Sequence, residues 1–76
     1  MKATIEILTE IRPEFDFNAS HNFMADGLLD SFDMITLVAA LDKAHGISIS
    51  GVDIVPENFQ NLQSISNLLR KNGVSL

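Results

Sequence analysis

The segment DGLLDSFDM, residues 26–34, sets one serine between two acids just where an apolar helical pattern begins. Three chemistries compete for Ser31. The first is structural: Ser or Asp ahead of an apolar periodic run is the ordinary helix N-cap, and Asp30 followed by Asp33 resembles a weak capping box. The second is nucleophilic catalysis, which needs a base within hydrogen-bond reach of the hydroxyl. The two histidines are His21, in a long loop, and His45, about four turns further along the same helix. Neither offers that base, and neither gathers the scattered acids into a metal cluster. His45 reads as a partly buried residue near a helix C-terminus, where its cation is favoured. The third is phosphate attachment. A phosphodiester built on a serine at a helix start lies against free N–H groups and the positive end of the helix dipole. That chemistry needs an exposed oxygen, a rigid element and a neighbouring surface for a modifying enzyme to grip.

The helix that follows supplies a candidate for that surface. It is expected from Ser31 to about His45, with Gly46 as its stop. Met34, Leu37, Val38, Leu41 and His45 fall on one face and form its core stripe. Phe32, Ile35 and Ala39 form a second apolar row about a quarter turn away, flanked by Thr36, Asp42 and Lys43. A surface helix normally has one apolar face, so two mean deep burial or a docking surface. Periodicity leaves both readings open.

The remaining elements must hold this helix. A first helix is expected over Lys2 to Arg12, with Thr4, Ile7, Leu8 and Ile11 in one stripe and Ile5 beside them. Lys2, Glu6, Thr9 and Glu10 fall on the other side, and Pro13 ends the helix. Residues 13–30 make a long connection whose Phe15, Phe17, Phe23, Met24, Leu28 and Leu29 should pin it to the core. Asp26-Gly27 marks a turn, but not a hairpin, because no alternating strand leads into it. Ile47 and Ile49 alternate with serines as in a strand, yet no second strand could pair with them. An irregular loop with Ile49 and Ile54 turned inward is the expectation. PENFQN reads as a short helix of about one and a half turns. A last helix is expected over about Ser64 to Lys71, its stripe made by Leu62, Ile65, Leu68 and Leu69, with Arg70 and Lys71 at its C-terminal end. The sum is an all-α bundle: three main helices and one short one.

The chain has 76 residues, so one domain over residues 1–76 is expected. A core of that size contributes about 3–5 kcal/mol of net stability and leaves little room for a deep active site. Hydrophobic residues make up 46% of the chain, enough to pack a core rather than stay disordered. There is no cysteine, hence no disulfide, no thiolate nucleophile and no thiolate metal site. The opening MKATIEILTE is not a signal peptide, and no apolar run reaches membrane-spanning length. A soluble, cytoplasmic protein without membrane insertion is the expectation. Acids outnumber bases ten to five, for a net charge of −5. That charge disfavours nucleic acid and anionic lipid as partners and favours basic protein surfaces, although mild acidity also simply keeps a small protein soluble.

At this point the sequence resembles a known family, the acyl and peptidyl carrier proteins. GLLDSFDMITLVAALDKAHGISIS is similar to their second helix with its preceding turn, where an Asp-Ser pair followed by Leu or Phe receives a 4′-phosphopantetheine arm. VDIVPENFQNLQSISNLL is similar to their loop, short third helix and fourth helix. The resemblance runs from Ile5 to Leu69 and rests on the triplet, the preceding DGLL, the two-row helix, the PENF turn and the length together. It implies a small four-helix bundle of acyl-carrier type with a long first loop. It implies that a phosphopantetheinyl transferase moves the arm from coenzyme A to Ser31 in a magnesium-dependent reaction. The arm's terminal thiol then carries an acyl or aminoacyl thioester to partner ligases, synthases or transferases, and the chain, a stand-alone monomer, is itself not an enzyme. By position Asp30 would assist modification, and Phe32, Ile35 and Ala39 would contact partners. Val38, Leu41, Ile49, Ile54 and Phe59 could line a groove sheltering an acyl chain, although plain core is the simpler reading of those five.

Two departures bear on the pathway. Carriers of fatty acid biosynthesis are usually richly acidic on the exposed side of the second helix, where this chain has Thr36, Ala39, Ala40 and Lys43 with only Asp33 and Asp42 acidic. An aromatic residue is common where His45 stands. Both favour a specialised carrier for polyketide, modified-lipid or aminoacyl chemistry, and GLLDSF also resembles the D-alanyl carriers of cell-wall modification. The competing reading from a different class is an unmodified helical adaptor that binds a protein through Phe32, Ile35 and Ala39.

Overall fold

Three α-helices occur among the described residues: α1 (Lys2–Ile11), α2 (Ser31–His45) and α3 (Leu62–Lys71), with single 3-10 turns at Gly51–Asp53 and Pro56–Asn58 between the last two. The structure is a computed structural model and describes residues 2–76, with the backbone alone for Lys2. The expected outward side chain of Lys2 therefore lies outside the described residues. No strand occurs among them, in line with the unpaired alternation at Ile47 and Ile49.

In α1, Thr4 and Leu8 are buried and Ile7 and Ile11 pack partly against the core, while Glu6, Thr9 and Glu10 face solvent. The helix stops at Ile11, one residue short of expectation. The Arg12 N–H still bonds the Leu8 carbonyl at 2.9 Å, but Pro13 pushes Arg12 itself out of helical geometry.

The connection over 13–30 is irregular yet fastened. Phe17, Phe23 and Leu29 are buried, and Met24 and Leu28 pack partly against the core. Phe17 and Phe23 meet edge to face, with centroids 5.1 Å apart and planes at 86°, an arrangement their ring quadrupoles favour. The Phe23 N–H donates to the Gln60 carbonyl at 2.6 Å, and its own carbonyl accepts from the N–H groups of Leu28 and Leu29 at 2.9 and 3.2 Å. The Asn22 side-chain oxygen accepts from the N–H groups of Met24 and Ala25 at 3.1 and 3.0 Å, and Gly27 closes the turn at φ 77°, a conformation that glycine adopts without strain. Phe15 departs from expectation: it stays 37% exposed. Its N–H closes a turn onto the Arg12 carbonyl at 3.3 Å, so the chain is still on the surface there and first dips inward at Phe17.

Gly46, at φ 64°, ends α2 in the left-handed region. Beyond it Ile49 is buried and Ile54 half-buried. The short third helix expected over PENFQN is only the 3-10 turn Pro56–Asn58. Two local bonds explain the truncation. The Phe59 N–H bonds the Pro56 carbonyl at 3.0 Å, turning the fully buried Phe59 into the core. Asn61 then caps α3, its side-chain oxygen accepting from the Ser64 N–H at 2.8 Å. That cap also starts α3 at Leu62 rather than Ser64. The described residues are thus all-helical, with three α-helices and a 3-10 turn where the fourth, short helix was expected. Ile65, Leu68 and Leu69 are buried as their spacing predicts. No helix is long and apolar enough to cross a membrane among the described residues.

Candidate functional site at the start of the second helix

Asp30, not Ser31, is the N-cap of α2. Its backbone is extended, at φ −114° and ψ −174°, and its Oδ1 accepts from the Asp33 N–H at 2.8 Å. Asp33 returns the contact: its Oδ2 accepts from the Asp30 N–H at 3.2 Å. The weak capping arrangement legible in the spacing is therefore a complete, reciprocal box built from two aspartates. With the cap supplied by its neighbour, Ser31 is the first residue of the helix. It is exposed. No hydrogen bond to its hydroxyl is present among the described residues.

A cation closes the site from α1. Arg12 Nε donates to Asp33 Oδ2 at 2.8 Å and Nη2 to Asp30 Oδ2 at 3.4 Å, while Nη1 lies 3.8 Å from Glu14 Oε2. One guanidinium thus bonds both carboxylates of the capping box. Sequence reasoning missed Arg12 as a site residue. It lies 18 and 21 positions from its partners, beyond the reach of any local spacing rule, and only its place beside Pro13 at a helix end marks it.

The electrostatics follow this geometry. The Asp33 N–H, and secondarily the Arg12 charge, hold the Asp30 carboxyl below its ordinary value of 3.8. The hydrogen bond and charge of Asp33 push Arg12 above its own ordinary value. Because the folded value of Asp30 is depressed, its contribution to stability is complete above 3.8 and is lost as pH falls through the lower folded value. Asp30→Asn keeps a capping oxygen but removes the charge. Urea midpoints measured across acid pH should therefore fall more steeply in the parent than in Asp30→Asn below that ordinary value. Parallel curves would show that Asp30 does not titrate as this geometry requires.

The second apolar row lies on the surface: Phe32 is 82% exposed and Ile35 60%, with Ala39 exposed beside them. The deep-burial alternative for this row is thereby removed. The two acids of the helix are engaged elsewhere, Asp33 in the box and Asp42 through its Oδ1, which accepts from the Ile49 N–H at 3.0 Å. Val38, Leu41, Ile49 and Phe59 sit within the buried core, with Ile54 packed against it, and no pocket opens among the described residues. His45 is half-buried, and its Nε2 is enclosed without a hydrogen-bond partner among the described residues.

An exposed hydroxyl thus stands on the first turn of a capped helix, beside an exposed apolar row. A family model described as "Phosphopantetheine attachment site" matches residues 2–70, and the chain belongs to that family. The comparison with curated proteins and that with solved structures gave no match. Domains of this family carry covalently attached 4′-phosphopantetheine. They are generally non-catalytic, and they interact with modifying and acyl-handling enzymes.

Proposed function

We propose that Ser31 is the attachment point of the phosphopantetheine arm, and that the chain carries acyl or aminoacyl groups in specialised lipid, polyketide or aminoacyl metabolism. The observation that carries this reading is the Ser31 hydroxyl, exposed and without a hydrogen bond among the described residues, directly behind a cap made by another residue. It can be esterified without loss of a structural hydrogen bond. A phosphodiester there would meet the N-terminal end of α2, where negative charge is favoured. The arm, once attached, supplies a terminal thiol that holds cargo as a thioester, which gives a chain without cysteine a role in thiol chemistry.

In the modification Ser31 Oγ bonds to the phosphorus of coenzyme A that bears the pantetheine. The phosphoanhydride bond breaks, the nucleotide bisphosphate leaves, and the hydroxyl proton passes to a base of the transferase. Asp30 assists by holding the first turn of the helix in place. Val38, Leu41, Ile49, Ile54 and Phe59 are the side chains that a sheltered acyl chain would have to part, and packing the core is what they do without one. Incubation with coenzyme A, magnesium and a broad-specificity phosphopantetheinyl transferase should add the mass of one phosphopantetheine. An unchanged intact mass would sink the proposal and leave the adaptor reading in its place.

Partner enzymes would meet Phe32, Ile35 and Ala39. With Asp33 and Asp42 engaged internally, the row offers apolar area rather than free carboxylates. Ile35→Asp places a charge in the middle of that row. It should slow modification by the transferase several-fold, with the helical circular dichroism unchanged because Ile35 is 60% exposed. A parental modification rate in Ile35→Asp would remove this row from the docking surface.

A further inference from the structure

We propose that Arg12 is a positioning residue for the modification of Ser31: from the end of α1 it fixes the first turn of α2 and offsets the negative charge that brackets the serine. This inference rests on Ser31 being the attachment point. The phosphate that reaches Ser31 is an anion, and the serine lies between Asp30 and Asp33. The helix dipole favours the phosphate, but two carboxylates so close repel it. The capping box leaves that repulsion in place, because each carboxylate there is bonded only to a backbone N–H of the other residue.

Arg12 supplies what the box lacks. It bonds Asp33 Oδ2 at 2.8 Å and Asp30 Oδ2 at 3.4 Å, so a single planar cation spans both acids. The Asp33 side chain is only 13% exposed and that of Arg12 35%, so the contact is partly shielded from solvent. The bases Lys43 and His45 lie in the last turn of α2, and Arg70 and Lys71 in the last turn of α3. Lys71 is paired with Asp53 at 2.9 Å. Among the described ion pairs, Arg12 is the cation at the modified end of the helix. The same bonds hold the end of α1 to the start of α2, so the charge and the orientation of the first turn depend on one side chain.

The test compares parent, Arg12→Ala, Arg12→Lys and Lys71→Ala, each incubated with coenzyme A, magnesium and a broad-specificity transferase. Mass gain is followed in time at low and high sodium chloride. Amide hydrogen exchange at Asp30 and Asp33 is measured on the unmodified proteins. Arg12→Ala should lose roughly fivefold in kcat/KM at low salt, the scale of a favourable exposed ion pair. The gap should narrow at high salt as screening weakens all the charges involved. Arg12→Lys restores the charge without the fork, so it should recover part of the rate while its Asp33 amide still exchanges faster than in the parent. Lys71→Ala should match the parent in both measurements. If Arg12→Ala does not fold, Arg12→Gln takes its place with the same expectations. Parental rates at every salt concentration would overturn the inference, and so would a rate loss without faster exchange at Asp33. A parent that gains no mass overturns the attachment reading instead, and the exchange data then decide by themselves whether Arg12 orders the turn.

Discussion

Ser31→Ala gains no mass under conditions in which the parent chain takes up one phosphopantetheine. The expectation is absolute rather than graded, because alanine has no oxygen to esterify. It is also clean. Had Ser31 been the N-cap, its loss would have cost about 0.5–2 kcal/mol and mixed a folding defect into the result. Asp30 is the cap, so every hydrogen bond of the capping box survives the substitution. Ser31 is exposed and its hydroxyl bonds nothing among the described residues, which keeps the stability change within about 0.5 kcal/mol. Intact-mass spectrometry and thermal melts on the same samples would check both halves. The serines elsewhere make useful controls: Ser20 donates to Asp26 at 2.7 Å, and Ser66 is buried with its hydroxyl bonded to the Leu62 carbonyl at 2.9 Å. An alanine variant that still gains the mass would move the attachment point to one of the other hydroxyls.

What the sequence made legible were features carried by short-range spacing. The span of α2 and its core stripe followed from apolar residues recurring three and four apart, with a glycine able to adopt positive φ at the end. The same spacing found the second row of Phe32, Ile35 and Ala39, but could not say whether it was covered, because burial depends on what the rest of the chain packs against. Caps were legible only in part. Asp30 and Asp33 stood out as a pair, yet which of Asp30 and Ser31 made the cap is a matter of one residue's backbone angles. Asn61 escaped notice because Gln60 and Asn61 read as the tail of a preceding helix. That helix shrank to a 3-10 turn once Phe59 was drawn into the core. The contacts of Arg12 were not legible: they join residues distant in sequence, and such pairings exist only after the chain has folded. Phe15 shows the converse error. An apolar residue type promises burial, but a surface turn decides where the side chain points.

Phe23→Ala should unfold the chain, or nearly so. Phe23 is 1% exposed and touches edge to face with Phe17. Removing a buried phenyl ring costs about 3–5 kcal/mol in lost transfer energy and in the cavity left behind. A single small core supplies about 3–5 kcal/mol in total, so the loss is comparable to the whole. The position matters as well as the size. Phe23 is where the long connection is tied down, through its N–H to Gln60 and its carbonyl to Leu28 and Leu29. Leu29 enters the core directly before the Asp30 cap. A connection that loses its anchor therefore loses the segment delivering the chain to Asp30 and Ser31. The conservative Phe23→Leu keeps most of the buried area and should fold with a reduced urea midpoint, restoring modification of Ser31 where Phe23→Ala abolishes it. Urea titrations followed by circular dichroism, with mass gain measured on the same two variants, would check this. If Phe23→Ala kept a cooperative transition within about 1 kcal/mol of the parent, well below the range for a buried phenyl ring, the connection would have to be held by its other contacts, and the start of α2 would not depend on this anchor.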